Sequence, residues 1–374
     1  MPESELNEQK SPAHSSNLPL ASIIITSYNY EKFLSRAIDS AFQQTYPVKE
    51  IIVVDDGSTD NSRHIINSYG DQITSVFQEN KGRAFATNAG FFASRGEIIF
   101  FLDADDIFFP HKVETMVNYF LQVVPQTPEV LIFHRLEMRT DDGISLSYYR
   151  PRSLHTLDGK KKNGYFEKSS DPETAYRYLQ KWGFLPFFSR PTPGLSLTRS
   201  LASKIFPLPD ERIISQDVCL VFASMLLGTV YVTLQVLGSY FIHGNNLSLS
   251  QAWSDKELER YQIIENFLND ILQKMNKERI ASFCESRRAQ AYYRRSGSTK
   301  GLFKLAWKIP SRCFCWETIW FSIKTLWLCL KNVLGIKQGP RLTKKAKLYA
   351  QVKKKPAKQH SQRQISVSKG ELGD

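Results

Sequence analysis

Apolar residues in the first hundred positions follow two alternating patterns, which predict strands and helices in turn. Short continuous runs rich in β-branched and aromatic residues predict buried strands. These runs are Ser22–Thr26, Ile51–Val54, Ile73–Phe77 and Ile98–Leu102. Apolar positions three and four apart predict helices between them, one from Glu31 onward and one across Ala84–Ser94. This alternation predicts an α/β fold, with a Rossmann-like, mostly parallel sheet and helices on both faces.

Polar clusters follow three of the predicted strands at the point where each strand ends. The clusters are Thr26-Ser27-Tyr28, Asp55-Asp56 and the acidic segment Asp103 to Asp106. Ligands of open α/β sheets bind outside the carboxyl ends of the strands. We therefore expect the three clusters to converge on one edge of the sheet and to form the functional site.

The acidic segment allows two interpretations. Asp103 and Asp105 are two positions apart, so in an extended chain both carboxylates lie on one face and can bind one divalent cation. Their hard oxygens suit Mg²⁺ or Mn²⁺. The alternative is an acidic turn in which Asp106 caps the next helix, and for an isolated pair of this spacing that alternative is favoured.

Four segments taken together resemble the family 2 glycosyltransferases of the GT-A fold. They are IIITSYNYEKFLSRAIDSAFQQTYP, EIIVVDDGSTDNS, NKGRAFATNAG and GEIIFFLDADDIFFP, in the family's order and spacing. The resemblance is strong over residues 19–115 and patchier up to residue 250, through TPGLSLTRS, SQDVCLVFASMLLG and YFIHGNNLS. It implies a GT-A domain at 19–250 that moves a sugar from a nucleotide-diphosphate donor to an acceptor hydroxyl, with inversion at the anomeric carbon.

The resemblance also implies a site for the nucleotide-sugar donor. By similarity, Thr26, Tyr28 and Asp56 would hold the nucleobase and ribose. Arg83, in the loop before the Ala84 helix, would contact the base or the diphosphate. Asp103 would bind the ribose-diphosphate as well as the metal.

The same resemblance identifies Asp103 and Asp105 as the family's D-x-D motif, which binds a divalent cation, Mg²⁺ or Mn²⁺. The cation would stabilise the negative charge that grows on the departing diphosphate. His243, in the segment YFIHGNNLS, would complete the metal shell or contact the diphosphate. A purely structural histidine is the alternative for His243.

Inversion requires a base that takes the proton of the acceptor hydroxyl. In the family this base is an Asp, often preceded by Glu, at a helix start about a hundred residues after the D-x-D. Asp217 matches that position, but Gln216 stands in place of the usual Glu. This difference weakens the prediction of how the acceptor binds more than it weakens the prediction of the catalytic base. The alternative for Asp217 is an N-cap of a helix at Val218–Leu227.

Net charge separates the body of the chain from its last quarter. The chain contains 49 Lys and Arg against 37 Asp and Glu, a net charge of +12. Arg287–Asp374 accounts for 21 basic and 3 acidic residues, or +18, so the remainder has −6. With 42% apolar residues, fibrous and wholly disordered classes are excluded. The basic surplus therefore belongs to a C-terminal appendage and not to the catalytic body.

That last quarter is predicted to consist of a helical extension at 251–300, a Trp-rich amphipathic helix at 301–336 and a basic, disordered tail at 337–374. Nine apolar residues of the amphipathic helix share one face. They are Trp316, Ile319, Trp320, Ile323, Leu326, Trp327, Leu330, Val333 and Leu334. Charges at every seventh position, Glu317, Lys324 and Lys331, exclude a transmembrane span.

This composition predicts in-plane attachment to an anionic membrane surface, with the protein peripheral on the inner face of the cytoplasmic membrane. The alternative is a helix docked on the catalytic domain beside a solvated tail. A nucleic-acid partner is not expected, because no nucleic-acid-binding fold accompanies the charge.

Three further features affect the expected location. Residues 1–18 are polar and predict a disordered lead-in with no secretory signal. Five cysteines without paired spacing favour a reduced, cytosolic compartment. Val218–Ile242 is uncharged over 25 residues, which is long enough to span a bilayer as one helix. Gly228 and Gly238 argue against a continuous helix, because they divide the segment into a predicted helix, Val218–Leu227, and two strands, Val230–Val236 and Tyr240–Ile242.

The leading hypothesis is a glycosyltransferase of the hexosyltransferase type that builds a cell-surface glycan, polysaccharide or glycolipid. A sugar-phosphate nucleotidyltransferase would also use a nucleotide and Mg²⁺, but the Gly-rich phosphate loop expected after its first strand is missing from Thr26 to Tyr30. A non-catalytic, membrane-associated scaffold is the third possibility, and the four intact carboxylates at 56, 103, 105 and 217 argue against it.

Overall fold

The computed structural model describes residues 18–140, 145–148, 166–186, 191–209, 216–243, 256–286, 289–296, 298–313 and 315–334. The predicted lead-in at 1–18, except Leu18, and the predicted basic tail at 337–374 lie outside the described residues.

Ten described strands form one sheet. They are β1 (Ala21–Ser27), β2 (Lys49–Asp55), β3 (Thr74–Phe77), β4 (Ile98–Asp103), β5 (Ile107–Phe108), β6 (Val130–Thr140), β7 (Ser145–Tyr148), β8 (Phe166–Ser170), β9 (Leu195–Thr198) and β10 (Thr229–Ile242). The described α-helices are α1 (Glu31–Phe42), α2 (Ser62–Ser68), α3 (Arg83–Ala93), α4 (Lys112–Val123), α5 (Pro172–Trp182), α6 (Arg199–Ile205), α7 (Gln216–Leu227), α8 (Lys256–Lys274), α9 (Ala289–Arg295), α10 (Thr299–Arg312) and α11 (Trp316–Val333).

The sheet is parallel in its first half and mixed in its second. Its order is β3-β2-β1-β4-β9-β6-β10-β5, and the pairs among β3, β2, β1 and β4 are all parallel, as predicted. Strand β9 is antiparallel to both β4 and β6, and β10 is parallel to β6 but antiparallel to β5 and β8. The chain after β4 lacks the strict strand–helix alternation that successive parallel crossovers need, so the continuous run of parallel strands ends at β4. Among the described strands beyond it, β6 and β10 pair in parallel and the other pairs are antiparallel.

Each central strand contributes to two hydrophobic cores, one on each face of the sheet. Ile23 and Ile25 of β1 face the core that includes α1 and α4, whereas Ile24 faces the core that includes α3, α5 and α7. Side chains alternate between the faces of a strand, so an unbroken apolar run indicates burial on both sides. These observations confirm the predicted α/β class with helices on both faces.

The uncharged segment Val218–Ile242 forms α7 and one long strand, β10, rather than a helix and two strands. The predicted break at Gly238 is absent: Gly238 pairs with Phe108, and a Cβ there would lie 2.7 Å from the carbonyl oxygen of Ile107. This glycine permits close approach of β5 and does not end the strand. Among the described helices, none is both long and apolar enough to cross a bilayer.

The C-terminal extension packs on the body of the chain that contains the sheet. Helices α8 and α9 lie within the predicted 251–300 segment, and the predicted Trp-rich helix is two helices, α10 and α11, separated at Cys313–Cys315. Buried Leu305 and Ile309 of α10 and Phe321 of α11 belong to the same core as the sheet. Because Cys315 and the Thr318 side chain cap α11 reciprocally, the second helix starts afresh at Trp316.

Candidate active site

The three polar clusters predicted from the strand ends meet at one edge of the sheet. In the parallel registers, Thr26 of β1 lies beside Asp103 of β4, and Ser27 lies beside Asp55 of β2. This placement follows from three adjacent parallel strands that end at the same level. The predicted convergence is confirmed.

Three carboxylates form the centre of this edge. One oxygen from each of Asp103, Asp105 and Asp106 lies within 4.8 Å of the others, and all three residues are buried. Asp103 Oδ1 and Asp106 Oδ2 accept no hydrogen bond from the part of the chain that the structure describes. Buried carboxylate oxygens without donors are costly unless a cation compensates them. The residues therefore fit a divalent cation.

The alternative, in which Asp106 caps the next helix, is wrong. Helix α4 begins at Lys112, after the short strand β5 and a turn. Asp106 is fully buried, and its Oδ1 instead accepts a hydrogen bond from the backbone N–H of Phe241 at 2.9 Å. This bond ties the acidic loop to the end of β10, two residues before His243.

Burial makes ionisation of Asp103 and Asp106 unfavourable in the absence of a cation. Burial raises the pKa of Asp103 to about 6, while the nearby Arg83 guanidinium partly opposes that shift. The Arg83 Nη1 atom lies 3.7 Å from Asp103 Oδ2. Burial and the neighbouring Asp105 also raise the pKa of Asp106 well above its usual range. A cation or additional donors would favour the ionised forms.

We expect the affinity for Mn²⁺ to rise with pH through about 6 and to level off above it. A metal ligand must be deprotonated, and the raised pKa of Asp103, about 6, means that protons compete with the metal below that value. Each unit below this pKa should weaken binding up to about tenfold. Calorimetric titration between pH 5 and 8 tests this. A flat affinity across that range would show that Asp103 is not a ligand.

His243 lies against the acidic cluster. Its Nε2 atom is 2.9 Å from Asp105 Oδ2, and its ring is stacked on Phe33 with centroids 4.7 Å apart. The residue is buried, so packing on Phe33 holds the imidazole in place beside the carboxylate. The metal-ligand role of His243 stays a prediction, and residues 244–248 of its motif lie outside the described residues.

Asp56 organises the loop that leads to Arg83. Its Oδ1 accepts hydrogen bonds from Gln78 Nε2 at 2.7 Å and from the Lys81 N–H at 2.9 Å, and its Oδ2 accepts one from the Gly82 N–H at 2.9 Å. Helix α3 begins at Arg83, immediately after this loop. Asp56 therefore positions the guanidinium, a role that the sequence did not reveal, and its predicted contact with the nucleobase and ribose stays a prediction.

Gly57 allows this loop to approach Asp56, and Gly57→Ala should disturb it. Gly57 has φ +77, and a Cβ there would lie 2.6 Å from the backbone nitrogen of Asn80. We expect a loss of about 1 to 3 kcal/mol in the free energy of unfolding, measured by urea denaturation, and weaker binding of nucleoside diphosphates.

Gly70→Ala is the matched control. Gly70 also has positive φ, +53, but a Cβ there would meet nothing within 4 Å. This variant should show only the smaller cost of the strained backbone and normal nucleotide binding. Equal losses in both variants would contradict the role of the close approach between Gly57 and Asn80.

The loop after β1 is tied to the loop after β2. Asn29, with φ +59, accepts a hydrogen bond from the Thr59 N–H at 2.7 Å, and its own N–H donates to Ser58 Oγ at 2.9 Å. Tyr28 is 43% exposed beside this junction, whereas Thr26 is half-buried within β1. The exposed Tyr28 ring is available to stack on a planar ligand.

Asp217 is the second residue of α7 and lies near both Asp103 and Arg83. Its charge contributes to raising the pKa of each of these two groups. The predicted N-cap alternative is wrong, because the helix begins at Gln216 and Asp217 lies inside its first turn. Asp217 Oδ1 accepts a hydrogen bond from the N–H of the next residue, Val218, at 2.9 Å, and the catalytic role of Asp217 stays a prediction. Ser215 lies outside the described residues.

Thr192 lies between the acidic cluster and the start of α7. The sequence alone did not identify it as a residue of the site. Its hydroxyl lies close enough to Asp103 to oppose the rise in the pKa of that carboxyl, and it accepts a hydrogen bond from Gln216 Nε2 at 3.4 Å. Gln216 is buried, so the position usually held by Glu faces the interior of this site. The segment TPGLSLTRS, whose first residue is Thr192, was the only signal in the sequence.

A buried lysine, Lys112, donates a hydrogen bond to the turn Thr192–Gly194. Lys112 is fully buried, its Nζ donates to the carbonyl oxygen of Pro193 at 2.6 Å, and it lies 3.1 Å from the centroid of the Phe108 ring. Burial lowers the pKa of Lys112 well below its usual range, which the nearby Asp106 opposes. No pattern in the sequence distinguished this lysine from a surface one.

Comparisons with known proteins place the chain in a family. The family model "Glycosyl transferase family 2" matches residues 22–163. An uncharacterised glycosyltransferase of Nostoc sp. is 36% identical over 262 residues, which are 67% of this chain and 75% of the relative. Glycosyltransferase GlyG of Streptococcus pneumoniae is 36% identical over 128 residues, which cover 33% of this chain and 42% of GlyG.

Among solved structures, the crystal structure of S. aureus TarS 1-349 in complex with UDP-GlcNAc matches 87% of this chain and 94% of TarS 1-349, with 15% identity and a TM-score of 0.45. The family assignment depends on the family model and on the Nostoc relative, which is matched over three quarters of its length. The chain is a member of glycosyltransferase family 2.

Proposed function

We propose that the chain is a metal-dependent, inverting glycosyltransferase of the hexosyltransferase type that uses a nucleotide-diphosphate sugar. The main support is the buried carboxylate cluster of Asp103, Asp105 and Asp106, in which two oxygens lack donors among the described residues. The cluster lies at the strand ends where ligands of open α/β sheets bind. Family membership supports the glycosyl-transfer chemistry.

In this proposal the donor diphosphate occupies the space between the acidic cluster and the loop before α3. A bound Mg²⁺ or Mn²⁺, held by Asp103 and Asp105 with His243 or Asp106, would neutralise charge on the diphosphate. Arg83, already paired with Asp103, would contact the diphosphate or the base. Thr26, Tyr28 and Asp56 would hold the nucleobase and ribose, with the exposed Tyr28 ring stacking on the base.

Asp217 would take the proton of the acceptor hydroxyl while that oxygen attacks the anomeric carbon from the face opposite the departing diphosphate. The new glycosidic bond forms as the bond to the diphosphate oxygen breaks, which inverts the configuration. Support for this role is the position of Asp217 at the start of α7, close to Asp103 and Arg83. The acceptor in this proposal is a hydroxyl of a cell-surface glycan, polysaccharide or glycolipid.

The proposed location is peripheral, on the inner face of the cytoplasmic membrane. Support comes from the basic C-terminal sequence and from the exposed tryptophans of α10 and α11. There a membrane-bound acceptor and a soluble nucleotide sugar can meet.

The test is a panel of UDP-, GDP- and dTDP-sugars incubated with purified protein and Mn²⁺, followed by measurement of nucleoside diphosphate release. One donor should be hydrolysed slowly, and EDTA should abolish the release. Consumption of a nucleoside triphosphate and a sugar phosphate, with pyrophosphate formed, would instead identify a nucleotidyltransferase. Silence across both assays would favour the scaffold.

A further inference from the structure

Helix α11 is packed with its polar side inward. Its buried side chains include Thr318, Ser322, Thr325 and Cys329, and Phe321 is the large apolar exception. Thr325 Oγ1 accepts a hydrogen bond from Gln290 Nε2 of α9, and Phe321 packs edge-to-face on Trp182 with centroids 5.8 Å apart. The helix is thus attached to the body through small and hydroxyl-bearing residues.

The opposite side of α11 is apolar and exposed, and we call it the outer face. It consists of Trp316, Trp320, Ile323, Leu326, Trp327 and Leu330, each 40 to 73% exposed. Their spacing of three and four places them on one side of the helix. A surface helix of a water-soluble domain normally has the reverse arrangement, because burying the large apolar side chains is what stabilises it. A contiguous apolar surface of this kind marks an interaction site.

Positive charge borders the outer face. Lys331 Nζ lies 3.5 Å from the centroid of the Trp327 ring, and Lys324 Nζ lies 5.2 Å from that of Trp320. The acidic residue of this helix, Glu317, is bound by Lys181 Nζ at 2.8 Å. Beyond the helix, the sequence from Lys337 to Lys369 contains eleven Lys and Arg and no Asp or Glu. The two lysines beside the outer face, and the basic sequence that follows the helix, therefore complement a negatively charged partner.

Tryptophan beside lysine favours a lipid surface over a second protein. Indole rings are enriched at the headgroup level of bilayers, and lysine stems extend along apolar surface while their charges reach the phosphates. Lysine is depleted from the cores of protein interfaces. In-plane binding also fits a helix that is not able to span a bilayer.

We propose that the outer face of α11 inserts into the headgroup region of an anionic bilayer, while the inward face of the helix holds the catalytic body at the surface. The inference rests on the membrane location proposed above and identifies its contact. It also combines the two alternatives drawn from the sequence, because the helix docks on the body through one face and presents the other. Since α11 is attached through Phe321 to Trp182 of α5, the body would be held by a fixed contact and not by a free tether.

Co-sedimentation of the full chain with vesicles tests the proposal. The wild-type protein should bind vesicles of equimolar phosphatidylglycerol and phosphatidylcholine, with a blue shift of its tryptophan fluorescence. It should bind vesicles of phosphatidylcholine alone far less, and salt should weaken binding. Because both rings are exposed, Trp320→Gln with Trp327→Gln should keep the fold and lower vesicle affinity about tenfold or more.

Leu121→Gln is the matched control, because Leu121 is an exposed apolar residue of α4, 51% exposed and remote in sequence from α11. This variant should bind vesicles as the wild type does. Unchanged vesicle binding by the double tryptophan variant would overturn the proposal. Absence of wild-type binding to anionic vesicles would also overturn it. If the wild type were then a dimer that the double variant converts to a monomer, the outer face would be assigned to a second copy of the chain. Vesicle binding needs no sugar donor, so failure of this test and failure of the transfer assay are distinguishable.

Discussion

Replacing Asp217 with Asn should lower the rate of sugar transfer by at least about a hundredfold and leave donor binding intact. The amide keeps the size of the side chain but is not basic enough to take the proton of the acceptor hydroxyl. Loss of a general base lowers kcat by about 10² to 10⁴-fold. Because Asp217 is the second residue of α7 and its charge raises the pKa of Asp103, the variant should also lower that pKa slightly.

The measurement compares transfer rates with the affinity for the nucleoside diphosphate product, determined by calorimetry on the same preparations. Asp270→Asn, at an exposed residue paired with Arg279, is the control for a carboxylate-to-amide change far from the site. Turnover equal to that of the wild type would remove Asp217 as the base. A parallel loss of nucleotide binding would instead indicate that Asp217 organises the start of α7.

Replacing Asp105 with Asn should remove metal-dependent donor binding. Asp105 supplies one carboxylate of the buried cluster and its Oδ2 lies 2.9 Å from His243 Nε2. Because loss of outer-shell partners alone lowers metal affinity about 10- to 100-fold, loss of a direct ligand should lower it about 100-fold or more. Asp103→Asn should have the same effect on the metal.

The Asp103 variant also separates loss of function from loss of fold. In the free protein, burial raises the pKa of Asp103 to about 6, so its charged form is disfavoured at pH 8. Asn removes that cost, and the thermal midpoint without metal at pH 8 should equal or exceed that of the wild type. Asp71→Asn, at an exposed residue of the Gly70–Gln72 turn, should change neither property. Mn²⁺ affinity unchanged in both site variants would show that the cluster is not the metal site.

The first half of the fold could be predicted because its signals are local. The apolar runs of β1 to β4 are buried on both sides of a parallel sheet, and such strands are visible as continuous stretches. Their polar ends, at Thr26, Asp56 and Asp103, then had to meet at one edge. Beyond β4 the strand pairs depend on long-range contacts, which no periodicity in the sequence specifies.

The predictions that failed did so where packing overrides local patterns. The sequence predicts a strand break at Gly238, but this residue lies inside β10, where β5 approaches too closely for a Cβ. Lys112 and Thr192 act through buried contacts with Pro193 and Asp103, which are distant in sequence. The Trp-rich segment was correctly recognised as amphipathic, but the sequence did not show that its polar side faces the body.

Net charge also has a more definite interpretation once the structure is known. The surplus of basic residues lies in the last quarter of the sequence, which also contains the exposed tryptophans of α11. The body has a carboxylate cluster at its site, balanced in part by Arg83. In our proposals the two features serve different tasks, since the carboxylate cluster binds the donor and the outer face of α11 holds the enzyme at a membrane.

The most direct test of the central claim is calorimetric binding of UDP, GDP and dTDP to the wild type and to Asp105→Asn, each with and without Mn²⁺. We predict that at least one nucleotide binds the wild type in the presence of Mn²⁺, and that binding is lost without the metal and in the variant. Binding of none of them, or binding that is equal without Mn²⁺ and in the variant, would contradict a metal-held donor at the carboxylate cluster.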